Sequence, residues 1–175
     1  MKYIVDSHCH LDLIEEKGID LYDVLKNCEE NNVRVLQNIC TKITEIDKIL
    51  SYTNNYEFIY ASAGIHPCNV QTQPQITHQE LIKILNHKKI IGIGETGLDY
   101  YHDLQYKELQ MTSFIEHIKA SQQTNIPVII HSRDAEKEML DVFNNYKNEN
   151  LKILMHCYTG SKTFAEKLLS FNPYF

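Results

Sequence analysis

The chain has 175 residues, and 17 Lys and Arg against 23 Asp and Glu give a formal net charge of −6. Hydrophobic residues make up 43% and charged residues 23%, which predicts a folded globular protein and excludes predominant disorder. No run approaches the roughly 18 apolar residues of a membrane-spanning helix, and the negative charge argues against a broad nucleic-acid surface. We expect a single domain over residues 1–175 and no membrane partner.

The cysteines and the N-terminus indicate the compartment. The five cysteines are odd in number, and no two are spaced as Cys-x-x-Cys. A disulfide framework or a structural zinc site is therefore not expected. The first residues carry no apolar segment of the kind that directs export. These features predict a cytoplasmic protein.

Six short apolar segments rich in Val and Ile each predict a buried strand. They lie at residues 3–5, 33–36, 58–61, 90–93, 128–130 and 151–155. Segments with helical periodicity follow them at residues 20–30, 44–52, 77–85, 106–122, 135–146 and 162–169. Thr77 and Glu80 predict a capping box at the third of these helices, and Ser161 is a candidate cap for the last.

The alternation of strands and helices predicts an α/β fold with a parallel sheet and right-handed crossovers. Two architectures fit this order, an open doubly wound sheet and a (β/α) barrel. A complete eight-stranded barrel needs at least about 200 residues. A barrel built from this chain would therefore be incomplete, with about six βα units.

Side chains that can bind metal recur where the predicted strands end. His8 and His10 follow the first strand, and because strand side chains alternate they point the same way. Glu95 ends the fourth strand, His131 the fifth and His156 the sixth. In a parallel barrel these ends converge on one rim, where the active sites of such folds lie.

Imidazoles with one carboxylate suit Zn²⁺ or Mn²⁺, whereas Mg²⁺ prefers oxygen ligands. A glutamate among imidazoles can bridge two cations. Two cations about 4 Å apart would polarise a phosphoryl or carbonyl group and activate water. The pattern therefore predicts hydrolysis, not redox chemistry or group transfer.

Two further residues are expected near the rim, each with two interpretations. His66, in Gly64-Ile65-His66-Pro67, either donates to a substrate phosphate or leaving group or is a turn residue held by the proline. Arg133 either binds an anion or pairs with an acidic neighbour such as Asp134 or Glu136.

The remaining polar residues near these motifs carry weaker signals. We expect surface or helix-end positions for His78, His87, His102 and His117, which have no partner at ligand spacing. Asp99, Tyr100 and Tyr101 are expected in the loop after the fourth strand, where they either line a substrate groove or pack against the core and anchor the loop.

Five segments together resemble, in order, the signature motifs of the TatD family of metal-dependent hydrolases. They are residues 6–12 (DSHCHLD), 64–67 (GIHP), 94–99 (GETGLD), 131–133 (HSR) and 156–160 (HCYTG). The resemblance implies a TIM-barrel fold of the amidohydrolase-like group. It also implies a two-metal deoxyribonuclease, typically dependent on Mg²⁺ or Mn²⁺ and often a 3′-to-5′ exonuclease.

The resemblance also implies roles for individual residues. His8 and His10 would bind one metal, His131 and His156 would bind the second, and Glu95 would bridge both. His66 and Arg133 would face the substrate, and with Glu95 they form the predicted catalytic set. The expected cofactors are two divalent ions, Mg²⁺, Mn²⁺ or Zn²⁺. The expected partner is DNA, as single strands or 3′ ends.

The family pattern continues with a seventh and an eighth strand, and the latter ends in an aspartate that binds the first metal. This sequence stops at Phe175 and resembles about the first two-thirds of that pattern. We therefore expect a C-terminally truncated barrel with exposed apolar surface and free edges on its first and sixth strands.

Three origins of the truncation stay open: a fragment of a longer protein, a barrel completed by a second polypeptide or a second copy, and a remnant without significant turnover. Hydrolysis of an ester or amide outside nucleic acids is a further alternative to DNA cleavage.

Overall fold

The computed structural model describes residues 2–102 and 104–175. Its six strands form one parallel sheet in chain order: β1 (Ile4–Cys9), β2 (Val33–Asn38), β3 (Ile59–Ala63), β4 (Ile90–Asp99), β5 (Val128–Arg133) and β6 (Ile153–Met155). A doubly wound sheet reverses its strand order at a switch point, and this sheet does not. The sheet curls into an incomplete barrel, so the predicted TIM-barrel type with six βα units is confirmed.

The described residues form seven α-helices. They are α1 (Leu11–Glu16), α2 (Leu21–Glu30), α3 (Ile46–Asn55), α4 (His78–Leu85), α5 (Lys107–Thr124), α6 (Glu136–Asn145) and α7 (Lys162–Leu168). The capping box of Thr77 and Glu80 begins α4, and the Ser161 hydroxyl accepts the Phe164 N–H at the start of α7, so both predicted caps are confirmed. No helix in the described part of the chain is long and apolar enough to cross a membrane.

The apolar core lies between the sheet and its helices in three clusters. The largest joins β4, β5 and β6 to α5, α6 and α7, and its centre includes the fully buried side chains of Phe114 and Phe143. Their rings meet edge to face with centroids 6.1 Å apart. This packing fixes the strands from which most of the predicted ligands project.

The two edges of the sheet differ. Ile4 and Val5 on β1 are about half exposed, at 54% and 51%, so the expected apolar edge is present there. β6 is the other edge strand, but its edge is partly paired, which corrects the expectation of a free edge there. Tyr174 runs parallel to β6, where its N–H donates to the Ile153 carbonyl and its own carbonyl accepts the Met155 N–H. These two bonds pair the Ile153 carbonyl and the Met155 N–H, which were expected from the sequence to be unpaired.

Candidate metal centre

Five of the predicted side chains meet inside the carboxyl end of the sheet, and we call this set the mouth. It consists of His8 on β1, His66 after β3, Glu95 on β4, His131 on β5 and His156 directly after β6. Strands that lie far apart along the chain thus bring metal-binding groups together, as the alternation of strands and helices predicts.

Glu95 is the centre of the mouth, with only 4% of its surface exposed. Its Oε1 lies 3.2 Å from Nδ1 of His131, and its Oε2 lies 3.3 Å from Nε2 of His8. Burial raises the pKa of this carboxyl, but the imidazoles of His131 and His8 outweigh burial and hold the pKa well below the ordinary value. Glu95 is therefore ionised at neutral pH and presents one oxygen to each side.

The ligand-type atoms of the mouth fall into two groups that share Glu95. One group is His8, Glu95 and His156, and the other is His66, Glu95 and His131. Within each group the ligand atoms lie within 4.8 Å of one another. The pairing implied by the resemblance placed His156 beside His131, whereas here the His156 ring stacks on His8 with centroids 3.3 Å apart.

The first group has the chemistry of a cation site. Nδ1 of His8 is buried and has no hydrogen-bond partner among the described residues, an arrangement that costs free energy unless a ligand satisfies the nitrogen. Burial, and then the neighbouring His8, lower the pKa of His156. A neutral His156 offers a lone pair, and the adjacent carboxylate supplies negative charge. These residues therefore fit a divalent cation.

His131 lies between two carboxylates of β4. Its Nε2 donates to Oδ2 of Asp99 over 2.9 Å, which leaves Nδ1 facing Glu95. Burial lowers the pKa of His131, but the two carboxylates outweigh burial and raise it. A carboxylate that fixes the far nitrogen of an imidazole is the usual support for a metal-binding histidine.

Asp99 lies elsewhere than the sequence suggested. It was expected in a loop, but it is the last residue of β4 and is fully buried. Burial raises its pKa, yet hydrogen bonds from His102 and His131 outweigh burial and lower the pKa to about 2. Its spacing from Glu95 could have indicated that Asp99 belongs to the site, since residues four apart on one strand face the same side.

His66 is oriented as a hydrogen-bond donor. Its Nδ1 accepts the backbone N–H of Cys68 over 3.1 Å, so the neutral ring carries its proton on Nε2. That nitrogen lies 3.3 Å from Nδ1 of His131 and 3.7 Å from Oε1 of Glu95. Burial lowers the pKa of His66 to about 4, which keeps the ring neutral. The contact with Cys68 and the following proline match the turn interpretation, and a proton on Nε2 facing the mouth is what the substrate-facing interpretation requires.

The other two predicted residues lie beside the mouth. Nδ1 of His10 is 3.2 Å from the Ile39 carbonyl, so it donates there and leaves Nε2 with a lone pair. The His10 ring meets His8 edge to face, with centroids 5.1 Å apart. Arg133 is exposed, and its guanidinium lies 4.4 Å above the ring of Tyr101.

The alternative interpretation of Arg133 does not match its surroundings. No carboxylate among the described residues lies within ion-pair distance of Arg133. Glu136, one of the two proposed partners, instead accepts hydrogen bonds from the backbone and hydroxyl of Ser161. The guanidinium thus remains available at the rim.

Glycine allows β4 and β5 to approach closely at the mouth. Gly97 pairs with His131 in the β4–β5 register and has a φ of +137°, a conformation that side chains rarely adopt. A Cβ at Gly97 would overlap the backbone carbonyl of His131. The absence of a side chain at this position is therefore a condition for placing His131 beside Glu95.

His117 contradicts its expected surface position. It is fully buried on α5, where Nδ1 donates to the Ser113 carbonyl over 2.7 Å and Nε2 accepts the Ile65 N–H over 3.1 Å. It lies three residues after Phe114 and one before Ile118, so it belongs to the buried helical stripe. The sequence spacing could therefore have indicated that His117 is buried. The hydrogen bond from Ile65 to His117 holds the segment that leads to His66.

The buried position of His117 predicts a pH-dependent stability. Burial lowers its pKa from 6.5 to about 4, so the unfolded chain takes up the proton first as the pH falls. Stability should therefore decrease below about pH 6.5, by about 2 kcal/mol between about pH 7 and about pH 5 from this group alone. Urea unfolding in chelator should show a flatter pH dependence for His117→Gln than for the parent chain. Equal slopes would contradict the assignment.

Comparisons with known proteins agree with this arrangement. The family model described as TatD related DNase matches residues 5–175. An uncharacterized metal-dependent hydrolase of Buchnera aphidicola is 32% identical over 180 residues, which cover 98% of this chain and 68% of its own length. A human protein named deoxyribonuclease TATDN3 is 30% identical, with 93% of this chain and 63% of its own length covered.

A solved structure has the same fold. The crystal structure of YjjV, a TatD homologue from Escherichia coli, matches with a TM-score of 0.85 at 24% identity and covers 97% of this chain and 66% of its own. This chain therefore spans about two-thirds of the length of the proteins it matches. On the family match and the shared sequence, the chain belongs to the TatD family of metal-dependent hydrolases.

Proposed function

We propose that this protein hydrolyses DNA phosphodiester bonds with two divalent cations, acting on single strands or 3′ ends. The observation that carries the proposal is the position of Glu95, whose two carboxylate oxygens face two separate groups of imidazoles. A carboxylate placed in this way can bridge two cations. The proposed compartment is the cytoplasm.

The proposed ligands are four residues of the mouth, His8, Glu95, His131 and His156, together with His10, which lies beside it. His8, His10 and Glu95 would hold one cation, and Glu95 and His131 the other. The resemblance assigns His156 to the cation of His131, whereas its contact with His8 places it nearer to the cation of His8. Imidazole-rich sets suit Zn²⁺ or Mn²⁺, and Mg²⁺ is the third candidate. When bound, such cations polarise a phosphoryl group and lower the pKa of water.

The remaining steps depend on groups of the chain itself. His66 presents the Nε2 proton to the mouth and would donate it in a hydrogen bond to a phosphate oxygen or to the departing oxygen. Arg133 presents an exposed guanidinium that would bind a neighbouring phosphate. Tyr101, which is 61% exposed beneath it, offers a face on which a terminal base can stack.

The relatives support a nucleic-acid substrate. The human relative is named a deoxyribonuclease, and the family model is described as TatD related DNase. This chain spans about two-thirds of the length of such relatives, and we propose that this portion hydrolyses DNA itself. The exposed rim beside Arg133 is compatible with a strand end that enters the mouth.

A cleavage assay on labelled single-stranded DNA, with Mn²⁺, Mg²⁺ or Zn²⁺ added in turn, tests the proposal. We expect shortening from the 3′ end that EDTA abolishes. His131→Ala should reduce the rate at least about 10²-fold, because it removes a ligand of the mouth. His87→Ala is the matched control, since His87 caps a turn after α4 and should leave the rate unchanged.

Two outcomes would overturn the proposal in favour of the alternatives. Cleavage of ester or amide substrates, lost in His131→Ala while DNA stays intact, would indicate a hydrolase for other substrates. Cation binding without turnover of any substrate above the His131→Ala level would indicate a non-catalytic remnant.

A further inference from the structure

A third group of metal-binding side chains lies beside the mouth and does not include Glu95. It consists of Cys68 in the short 3₁₀ turn Pro67–Asn69, Asp99 at the end of β4 and His102 three residues later. One ligand atom from each, a sulfur, a carboxylate oxygen and a ring nitrogen, lies within 4.8 Å of the other two. The three residues reach this place from two separate strand ends.

Asp99 is rigidly held in this group. Its Oδ1 accepts the backbone N–H groups of Tyr101 and His102 over 3.1 and 2.7 Å, and its own N–H donates to Oε1 of Gln110. Its Oδ2 lies 2.9 Å from Nδ1 of His102. The carboxylate is fully buried, and its Oδ2 also accepts a hydrogen bond from Nε2 of His131 over 2.9 Å, so contacts on both oxygens fix its position.

The other two residues give the group access and selectivity. The side chain of His102 is 53% exposed, which leaves a path from solvent to the carboxylate. Cys68 is half-buried, and its backbone is fixed by the bond to His66. Sulfur and imidazole ligands favour Zn²⁺ over Mg²⁺ or Ca²⁺.

We propose that Cys68, Asp99 and His102 form a third cation site, which binds Zn²⁺ and shares no ligand with the mouth. Three protein ligands leave the fourth position of a tetrahedral ion to water. On binding, the Cys68 thiol releases its proton to solvent. The proton on Nδ1 of His102 moves to the exposed Nε2, so that Nδ1 can bind the ion. The site does not depend on DNA cleavage.

Co²⁺ is the probe, because a cysteine thiolate bound to Co²⁺ gives a near-ultraviolet charge-transfer band. The full chain, stripped of metal and kept reduced, should develop this band on titration with Co²⁺ and lose it when Zn²⁺ is added. Cys68→Ser should abolish the band. Cys157→Ser, at the exposed cysteine that follows His156 of the mouth, is the matched control and should retain it.

A second variant keeps the test decisive if Cys68→Ser folds poorly. His102→Ala changes a largely exposed side chain and should weaken Co²⁺ binding at this site by at least about 10-fold. Glu95→Gln should leave the band intact, which separates this site from the mouth. Absence of the band in the parent chain, or its persistence in Cys68→Ser, would overturn the inference whether or not DNA is cleaved.

Discussion

Replacing Glu95 by glutamine should abolish tight cation binding in both groups of the mouth and lower DNA cleavage by about 10³-fold or more. The change keeps the size of the side chain but removes the negative charge that both groups share. Since each oxygen faces a different set of imidazoles, no other residue of the mouth can replace it. The measurements are metal content after dialysis and the cleavage rate.

Glu116→Gln is the matched control for this substitution. Glu116 also accepts hydrogen bonds from a histidine, His78, but on the outer helices α4 and α5. The control should keep the cation content and the cleavage rate of the parent. Two retained cations and an undiminished rate in Glu95→Gln would remove the basis of the proposed function.

Gly97→Ala should destabilise the protein by more than about 3 kcal/mol. The new Cβ would overlap the His131 carbonyl, and the φ of +137° strains any residue that has a side chain. Relief requires β4 and β5 to separate, which would move His131 away from Glu95. Urea unfolding measures the loss of stability, and cation titration of the surviving folded protein measures the damage to the mouth.

Gly18→Ala separates backbone strain from steric overlap. Gly18 also has a positive φ, +77°, but a Cβ there meets no atom within 4 Å. It should cost only about 1 kcal/mol and leave cation binding unchanged. An equal loss of stability in the two variants would show that the close approach at Gly97 does not constrain the sheet.

The sequence sufficed to predict that the residues of the mouth meet, because strand ends in a parallel barrel share one side. It also predicted His10 and Arg133 there, and these two lie beside the mouth. Glu95, His131 and His156 each follow an apolar run of the kind that predicts a buried strand. The sequence could not predict which imidazole stacks on which, since that depends on the curvature of the sheet. His156 consequently lies on His8 and not beside His131.

The remaining differences have similar physical causes. β4 is ten residues long and includes Asp99, although its apolar run ends much earlier, because backbone pairing with β5 continues through polar residues. Helix α1 is only six residues long, too short for a periodic pattern to appear. The proton on Nε2 of His66, which its proposed role as a donor requires, follows from a single backbone contact from Cys68 that the sequence does not reveal.

Because β4 and β5 pair at the mouth, ligand binding there should make these two strands harder to separate. Glu95 and Asp99 belong to β4, and the imidazole they both contact belongs to β5. A cation that binds both His131 and Glu95 would therefore stabilise the pairing of β4 with β5, because separating the two strands would also require loss of the cation. The amides along this seam should exchange with deuterated solvent more slowly in the loaded protein, whereas the β1 edge should continue to open at its own rate.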